Sequence, residues 1–380
     1  MKILTISNCP LIESQGSGYI IVNFTRGLQQ LGHEVDVFGP EAYEPFQFLG
    51  GRAKSYRQAL GMLFFCLRQI KKKRYDIIEF YGAEAWLTIS VLHQLKNRSY
   101  LMISHSNGLE TNVYEVISNY GKVLNYNAVV RKWYQLNQSA LFSQAFTKVD
   151  GIITVSQYES NYALKNKYQS SLNIITIENS LLDNYLKINI SFKRKPIIAY
   201  CGTWLTRKGI QIIKNDISKI LTDFSNSRFK LIGVGNNFKK EENFPIEICN
   251  RIEVIPFVDN KDILKQIYQT VSILIMPSIY ESFGLVSAEA MACGCALVAN
   301  KTGFAASLKH REEAMLIDEP LSPYLYEAVK ELLLNESLRM KIAQMGYERV
   351  QTLRWDLAID KLEMSYSQWL AGFKVLKDLA

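Results

Sequence analysis

Short apolar runs alternate with amphipathic stretches along nearly the whole chain. KILTIS, EVDVF, YDIIEF, YLMISH, GIITVS and LNIITIEN occupy the first half, and PIIAYCG, FKLIGVG, RIEVIPF, VSILIMPS, CALVAN and MLIDE the second. Brief and rich in β-branched residues, they read as strands buried on both faces. Between them apolar residues recur at helical spacing, as from Tyr19 to Leu31 after a glycine-bearing loop with Gly16 and Gly18. This alternation predicts an α/β protein with two Rossmann-like, doubly wound domains. The charged, proline-containing segment Lys193-Arg194-Lys195-Pro196 reads as a hinge, which sets a first domain at 1–190 and a second at 191–355. The tail is helical: Ser322 caps and Pro323 enters the first turn of one helix, a second follows Glu336, and a third starts near Trp355. Residues 356–380 are expected to pack across the two domains and return to the first, through Leu357, Ile359, Leu362, Met364, Tyr366 and Trp369.

Composition narrows the class. A chain of 380 residues exceeds one domain of about 150. With 48% hydrophobic and 21% charged residues, disorder and collagen-like structure are excluded. The opening run reads as a strand and carries no secretory leader, and the apolar stretch from Leu60 to Leu67 falls short of the roughly 20 residues that a membrane span needs. A cytoplasmic location is expected, with any membrane contact peripheral and at the inner face. The six cysteines read as buried thiols, and Cys293 and Cys295 lack partners at zinc spacing, so no metal site is expected. A net charge of +8 favours an acidic surface or a phosphorylated ligand without choosing between them.

The densest chemistry lies in MPSIYESFGLVSAEAMACGCALVAN. Glu281 falls in the loop after a buried strand, and Glu289 on the helix that follows. Ser282, Phe283, Gly284 and Leu285 make the turn between them, where unpaired amides and the positive dipole end can hold an anion. A diphosphate seated there, with a hydroxyl-rich group on each side, would meet a carboxylate at both ends. That pattern fits a nucleotide sugar, although two unrelated solvated glutamates would show the same spacing. Arg207 and Lys208, in CGTWLTRKG, stand where a diphosphate could be neutralised at the carboxyl edge of the second sheet, or are an ordinary solvated pair. His105 ends a strand in the first half, a position more often structural than chemical. GSGYII superficially offers a dinucleotide fingerprint with Asp36 as its ribose acid, but Ile21 stands in place of the third glycine, and an NAD enzyme is not expected.

These stretches resemble the retaining GT-B glycosyltransferases, glycosyltransferase family 4 in particular, whose Glu-x7-Glu signature Glu281 and Glu289 match. The likeness extends through the N-terminal glycine loop, LGHEVDVFG, SHSNGLE, GIITVSQYES, IENSLLD, CGTWLTRKG and PFVDNKDILKQIYQTVSILIMPS, in the family's order. It implies a GT-B fold with the two domains facing a central cleft. Glu281 would bind sugar hydroxyls, Glu289 the ribose of the nucleotide, and the amides around Phe283, Gly284 and Leu285 the donor phosphate and sugar. His105 would stand beside the transferred sugar, Ser156 and Asn179 at crevice positions, and Gly16 and Gly18 would let donor and acceptor sugars approach the backbone. Thr203 replaces an arginine frequent in the family, so Lys208 matches by position while Arg207 is left to supply the missing charge.

The activity so implied is retaining, metal-independent transfer from a nucleotide diphosphate sugar to a hydroxyl of an oligosaccharide or lipid-linked glycan, in cell-surface polysaccharide synthesis. The donor is the only small-molecule requirement, since no Asp-x-Asp motif is present, and no nucleic-acid partner is expected. A nucleotide-sugar 2-epimerase of the same fold and a non-catalytic sugar-nucleotide-binding subunit are the alternatives. Finally, the segment from Arg52 to Arg74 sets Leu60, Leu63, Phe64, Leu67 and Ile70 on one helical stripe before Lys71, Lys72, Lys73 and Arg74. The stripe is expected to face the core; the cations either complement the helix dipole or make weak, salt-sensitive contact with an anionic membrane.

Overall fold

A computed structural model describes residues 1–13, 16–51, 53–95, 97–120 and 139–378; Arg52 lies outside the described residues. The first six apolar runs form β1 (Lys2–Ser7), β2 (Glu34–Phe38), β3 (Ile77–Tyr81), β4 (Leu101–His105), β5 (Gly151–Thr154) and β6 (Ile174–Thr176), in the sheet order β2-β1-β3-β4-β5-β6. The other six form β7 (Ile197–Cys201), β8 (Arg228–Ile232), β9 (Ile252–Ile255), β10 (Ile273–Met276), β11 (Ala296–Asn300) and β12 (Met315–Ile317), in the order β12-β11-β10-β7-β8-β9. All pairings are parallel, with Ile3 opposite Ile77 in one sheet and Ile273 opposite Ile198 in the other. Every residue of β3, β4, β10 and β11 is buried, which is why these strands read as continuous apolar runs. In each sheet the strand order reverses once, between β1 and β3 and between β7 and β10. Ligands of open α/β sheets bind outside the carboxyl ends of strands at such reversals.

Two compact units result: Met1–Ser180 with Trp355–Ala380, and Leu181–Arg354. The first boundary therefore falls at 180/181 rather than 190/191. The connecting segment is tied to the second unit by hydrogen bonds. The Leu181 amide donates to the Leu353 carbonyl (2.9 Å), the Tyr185 hydroxyl to the Lys261 carbonyl (3.2 Å), and Arg194 to the carbonyls of Tyr268 and Val271 (3.1 and 2.7 Å). Each unit has its own core, around Leu4, Ile78, Met102 and Ile152 in the first and Ile198, Ile217, Phe229 and Ile275 in the second.

Four local expectations change. Helix α1 spans Gly16–Gln30, so Gly16 and Gly18 lie in its first turn and not in the preceding loop. Pro323 is the residue before the Tyr324–Leu334 helix, and the Ser322 hydroxyl bonds Asp216 instead of capping that helix. In the terminal Trp355–Asp378 helix, Leu362 and Tyr366 are buried, Ile359 lies against Gly27 and Trp369 against Gly151, all within the first unit, but Leu357 and Met364 are exposed. Helix α2 (Lys54–Lys72) buries Ala59, Met62 and Cys66, whereas Leu60 and Phe64 stand exposed. Phe65, Leu67 and Ile70 pack partly buried against the same core, and Gly61 lies directly under the Tyr43 carbonyl, where a Cβ would come within 2.0 Å.

Candidate active site

The reversal between β7 and β10 carries the clearest constellation. The chain leaves β7 through Gly202 (φ 148°), turns through a short 3₁₀ segment Thr206–Lys208, and enters the Ile210–Asp223 helix at Gly209 (φ 78°). From β10 it runs through Pro277 to Phe283 and enters the Leu285–Ala292 helix at Gly284 (φ 94°). Since β7 and β10 are neighbours, the two loops meet. The Ile279 amide donates to the Arg207 carbonyl (2.9 Å), and a Cβ on Gly209 would approach the Pro277 carbonyl oxygen to 2.1 Å. Lys208 Nζ forms an ion pair with Glu281 Oε1, and both side chains are mostly buried, at 15% and 13% exposure. Arg207, by contrast, enters no ion pair among the described residues, and its cation is available to a ligand.

A third loop, after β11, fixes the Glu281 backbone. The Thr302 hydroxyl accepts from the Glu281 amide (3.0 Å) and donates to its carbonyl (3.2 Å), and the Phe304 amide donates to the Phe283 carbonyl (2.8 Å). The Phe283 ring is buried against Phe304, so its backbone and not its side chain is the part placed for a ligand. Gly284 offers no side chain to cap the helix, which leaves its first amides open. Thr203 is exposed, and its carbonyl accepts from the Tyr200 hydroxyl (2.8 Å).

Glu289 is buried on the same helix and is held by Lys261 Nζ at 2.6 Å. Burial pushes its carboxyl above the ordinary range, against the opposing pull of Lys261. Lys261 and Thr302 were not singled out from the sequence. Lys261 had one signal, an Asn260 cap directly before an amphipathic helix, but its partner lies in a different segment of the chain.

The first-unit candidates fall at the carboxyl ends of β4, β5 and β6. His105 is fully buried, not open to a crevice: its Nδ1 lies 2.7 Å from both Glu79 Oε1 and the Tyr81 hydroxyl, and its Nε2 has no partner. Burial alone would raise the Glu79 carboxyl, but hydrogen bonds from His105, Tyr366 and Thr5 hold it below its ordinary value. Ser156 caps the Gln157–Lys165 helix by accepting from the Glu159 amide (3.4 Å). Asn179 is buried with its Oδ1 unpartnered. Gly16 has open space around it, but Gly18 is covered by its own loop, since a Cβ there would come within 2.7 Å of Pro10 O and 2.6 Å of Ile12 O. Gly18 therefore admits the protein's own backbone where a sugar was expected.

A polar group that no motif announces lies at the other reversal, between β1 and β3. Asn8 Nδ2 donates to Glu84 Oε2 (2.8 Å), and Glu110 Oε1 accepts from the Ala83 amide (3.1 Å) while its Oε2 is buried without a partner. Burial, with the nearby Glu84 charge, pushes the Glu110 carboxyl up to about 8. Both amide atoms of Asn107 are likewise buried and unpaired.

Sucrose-phosphate synthase from Thermosynechococcus elongatus superposes on 98% of this chain and the whole of its own with a TM-score of 0.75 at 18% identity. Anabaena Alr3699/HepE in complex with UDP covers 97% of this chain and the whole of its own with a TM-score of 0.68 at 15% identity. At such identities the likeness is one of fold, and the fold is GT-B, two Rossmann-like units each with a parallel six-stranded sheet. Residues 14–179 match Glycosyltransferase Family 4 and residues 183–349 match Glycosyl transferases group 1. The chain belongs to these glycosyltransferases. An uncharacterized glycosyltransferase of Methanocaldococcus jannaschii is 29% identical over 231 residues, 60% of this chain and 62% of that protein.

Proposed function

We propose that this glycosyltransferase moves a sugar from a nucleoside diphosphate sugar to a hydroxyl of an oligosaccharide or lipid-linked glycan, with retention and without a metal ion. The observation that carries the reading is the Lys208–Glu281 pair beside the open amides of the Leu285–Ala292 helix. Lys208 has three donors and spends one on Glu281, so two are left for phosphate oxygens; Glu281 keeps its second oxygen for sugar hydroxyls. Arg207 adds a second cation, and the helix amides add fixed dipoles, all aimed at charge that grows as the diphosphate leaves. The anomeric bond to the diphosphate breaks, the acceptor oxygen bonds to the same face, and the acceptor proton passes to the departing phosphate oxygen. No carboxylate nucleophile is required. Glu289, buried beside Lys261, is assigned to the ribose.

Support for the donor class comes from the Anabaena neighbour, which has been solved with UDP and with UDP-glucose. No helix among the described residues is long and apolar enough to cross a membrane. The proposed setting is cell-surface polysaccharide synthesis at the cytoplasmic face of a membrane, where a lipid-linked acceptor would be met. Thermal melting with a panel of nucleotide sugars tests the reading: one donor should raise the midpoint more than its free nucleotide does, and no shift with any donor would contradict it.

A further inference from the structure

The side of α2 that the first unit leaves uncovered is both apolar and cationic. Leu60 and Phe64, one turn apart, are 49% and 67% exposed, and the same side continues through Arg68 to Lys71, with Lys72 beside it. Within the run at the end of this helix, Lys73 pairs with Glu34 and Asp36, while Arg68, Lys71 and Lys72 enter no ion pair among the described residues.

Against the first turns of α2 lies the loop that carries Phe46 and Phe48. The buried Arg57 donates to the Phe46 carbonyl (3.0 Å), the Gly50 carbonyl (2.6 Å) and the Glu44 carboxylate (2.8 Å). Gly61 fits beneath the Tyr43 carbonyl, where a Cβ would come within 2.0 Å. This clamp holds Phe46 and Phe48 outward, 63% and 83% exposed, with ring centroids 6.1 Å apart edge to face. Phe46 sits at φ 55°, a left-handed conformation that a non-glycine residue adopts only at a cost, which the Arg57 hydrogen bonds to this loop offset.

Single exposed apolar residues need no explanation, but several large ones gathered beside unpaired cations do. Lysine is depleted where proteins meet proteins, whereas a lysine-rich helix face with Leu and Phe is the composition of helices that lie in a lipid interface. We propose that this face docks on an anionic bilayer, with Phe46, Phe48, Leu60 and Phe64 entering the boundary between headgroups and acyl chains while Arg68, Lys71 and Lys72 hold lipid phosphates. The contact is then partly hydrophobic, and salt removes only part of it. The surface is read without turnover, so its failure and that of the transfer reaction are separate results.

Sedimentation with vesicles of phosphatidylcholine mixed with phosphatidylglycerol, and with phosphatidylcholine alone, is the test. The full chain should sediment with the mixed vesicles, and a fraction should stay bound near 1 M salt, where the Debye length is about 3 Å. The double variant Phe48→Ser with Phe64→Ser, both at exposed positions, should lose that salt-resistant fraction, with partitioning weaker by roughly tenfold for each ring withdrawn. Lys71→Gln with Lys72→Gln should reduce low-salt binding instead. Unchanged melting of each variant shows that the fold is kept. Equal sedimentation of the double aromatic variant and the wild type would overturn the proposal, as would a wild-type chain that ignores both vesicles. Self-association of the wild type, lost in the aromatic variant, would assign the face to a second copy instead.

Discussion

Lys208 and Glu281 form an ion pair across two loops that leave neighbouring strands, β7 and β10, at the reversal of strand order in the second sheet. The pair stands where the topology opens a crevice and where a helix begins with uncapped amides. Neither residue reaches this position through its own segment alone: Gly209 and Gly284 turn the loops, and Thr302 fixes the Glu281 backbone.

Lys208→Ala is expected to lower turnover by about 10²–10³-fold, and by more than Arg207→Ala, because Lys208 is the cation held in place by Glu281. Activity should be unchanged in excess EDTA. Loss in EDTA that manganese restores would contradict metal independence. A larger effect at Arg207 would show that the charge missing at Thr203 has been taken over by the unpaired guanidinium.

Gly209→Ala should destabilise the second unit by about 1–3 kcal/mol and depress turnover with it, since φ is 78° and the new Cβ would meet the Pro277 carbonyl at 2.1 Å. Gly235→Ala is the matched control: its φ is 96°, but nothing lies within 4 Å, so only the backbone cost of about 1 kcal/mol applies. Urea unfolding of the two variants separates them, and equal midpoints would remove the steric latch from the site.

Glu110 gives a pH dependence with a definite sign. Its carboxyl lies near 8 in the fold, raised by burial and by Glu84 from an ordinary value of 4.5, so its contribution to stability is full below 4.5 and is lost as pH rises through about 8. Glu110→Gln, which cannot ionise, should melt at a higher temperature than the wild type above that pH and show no such gain in acid. Parallel melting curves across the range would mean that the carboxyl titrates normally.

The strands were legible because burial on both faces makes each an unbroken apolar run, and LVSAEAMA could be placed on a helix after β10 by its position alone. Side-chain partnerships were not. Glu289 and Lys261 lie on different helices, and Glu79, His105 and Tyr366 come from three distant segments, so no spacing announces either group. Ser156 caps the Gln157–Lys165 helix, a role that any serine before a helix can take and that its place after a strand does not by itself announce. The stripe on α2 divides: Leu67 and Ile70 pack against the first-unit core as their spacing predicts, whereas Leu60 and Phe64 stand exposed, because the helix carries apolar residues on both sides.

Turnover of Glu281→Ala, with the nucleotide sugar that most raises the wild-type melting midpoint, reaches the core of the proposed reaction. Glu281 is held beside the leaving-group cation and is assigned to the sugar as its bond breaks. Transfer should fall by about 10³-fold or more while circular dichroism shows that the native fold is kept, with some loss of melting temperature because Lys208 is left without its partner. A correctly folded Glu281→Ala protein that transfers sugar at the wild-type rate would show that the reacting sugar lies elsewhere.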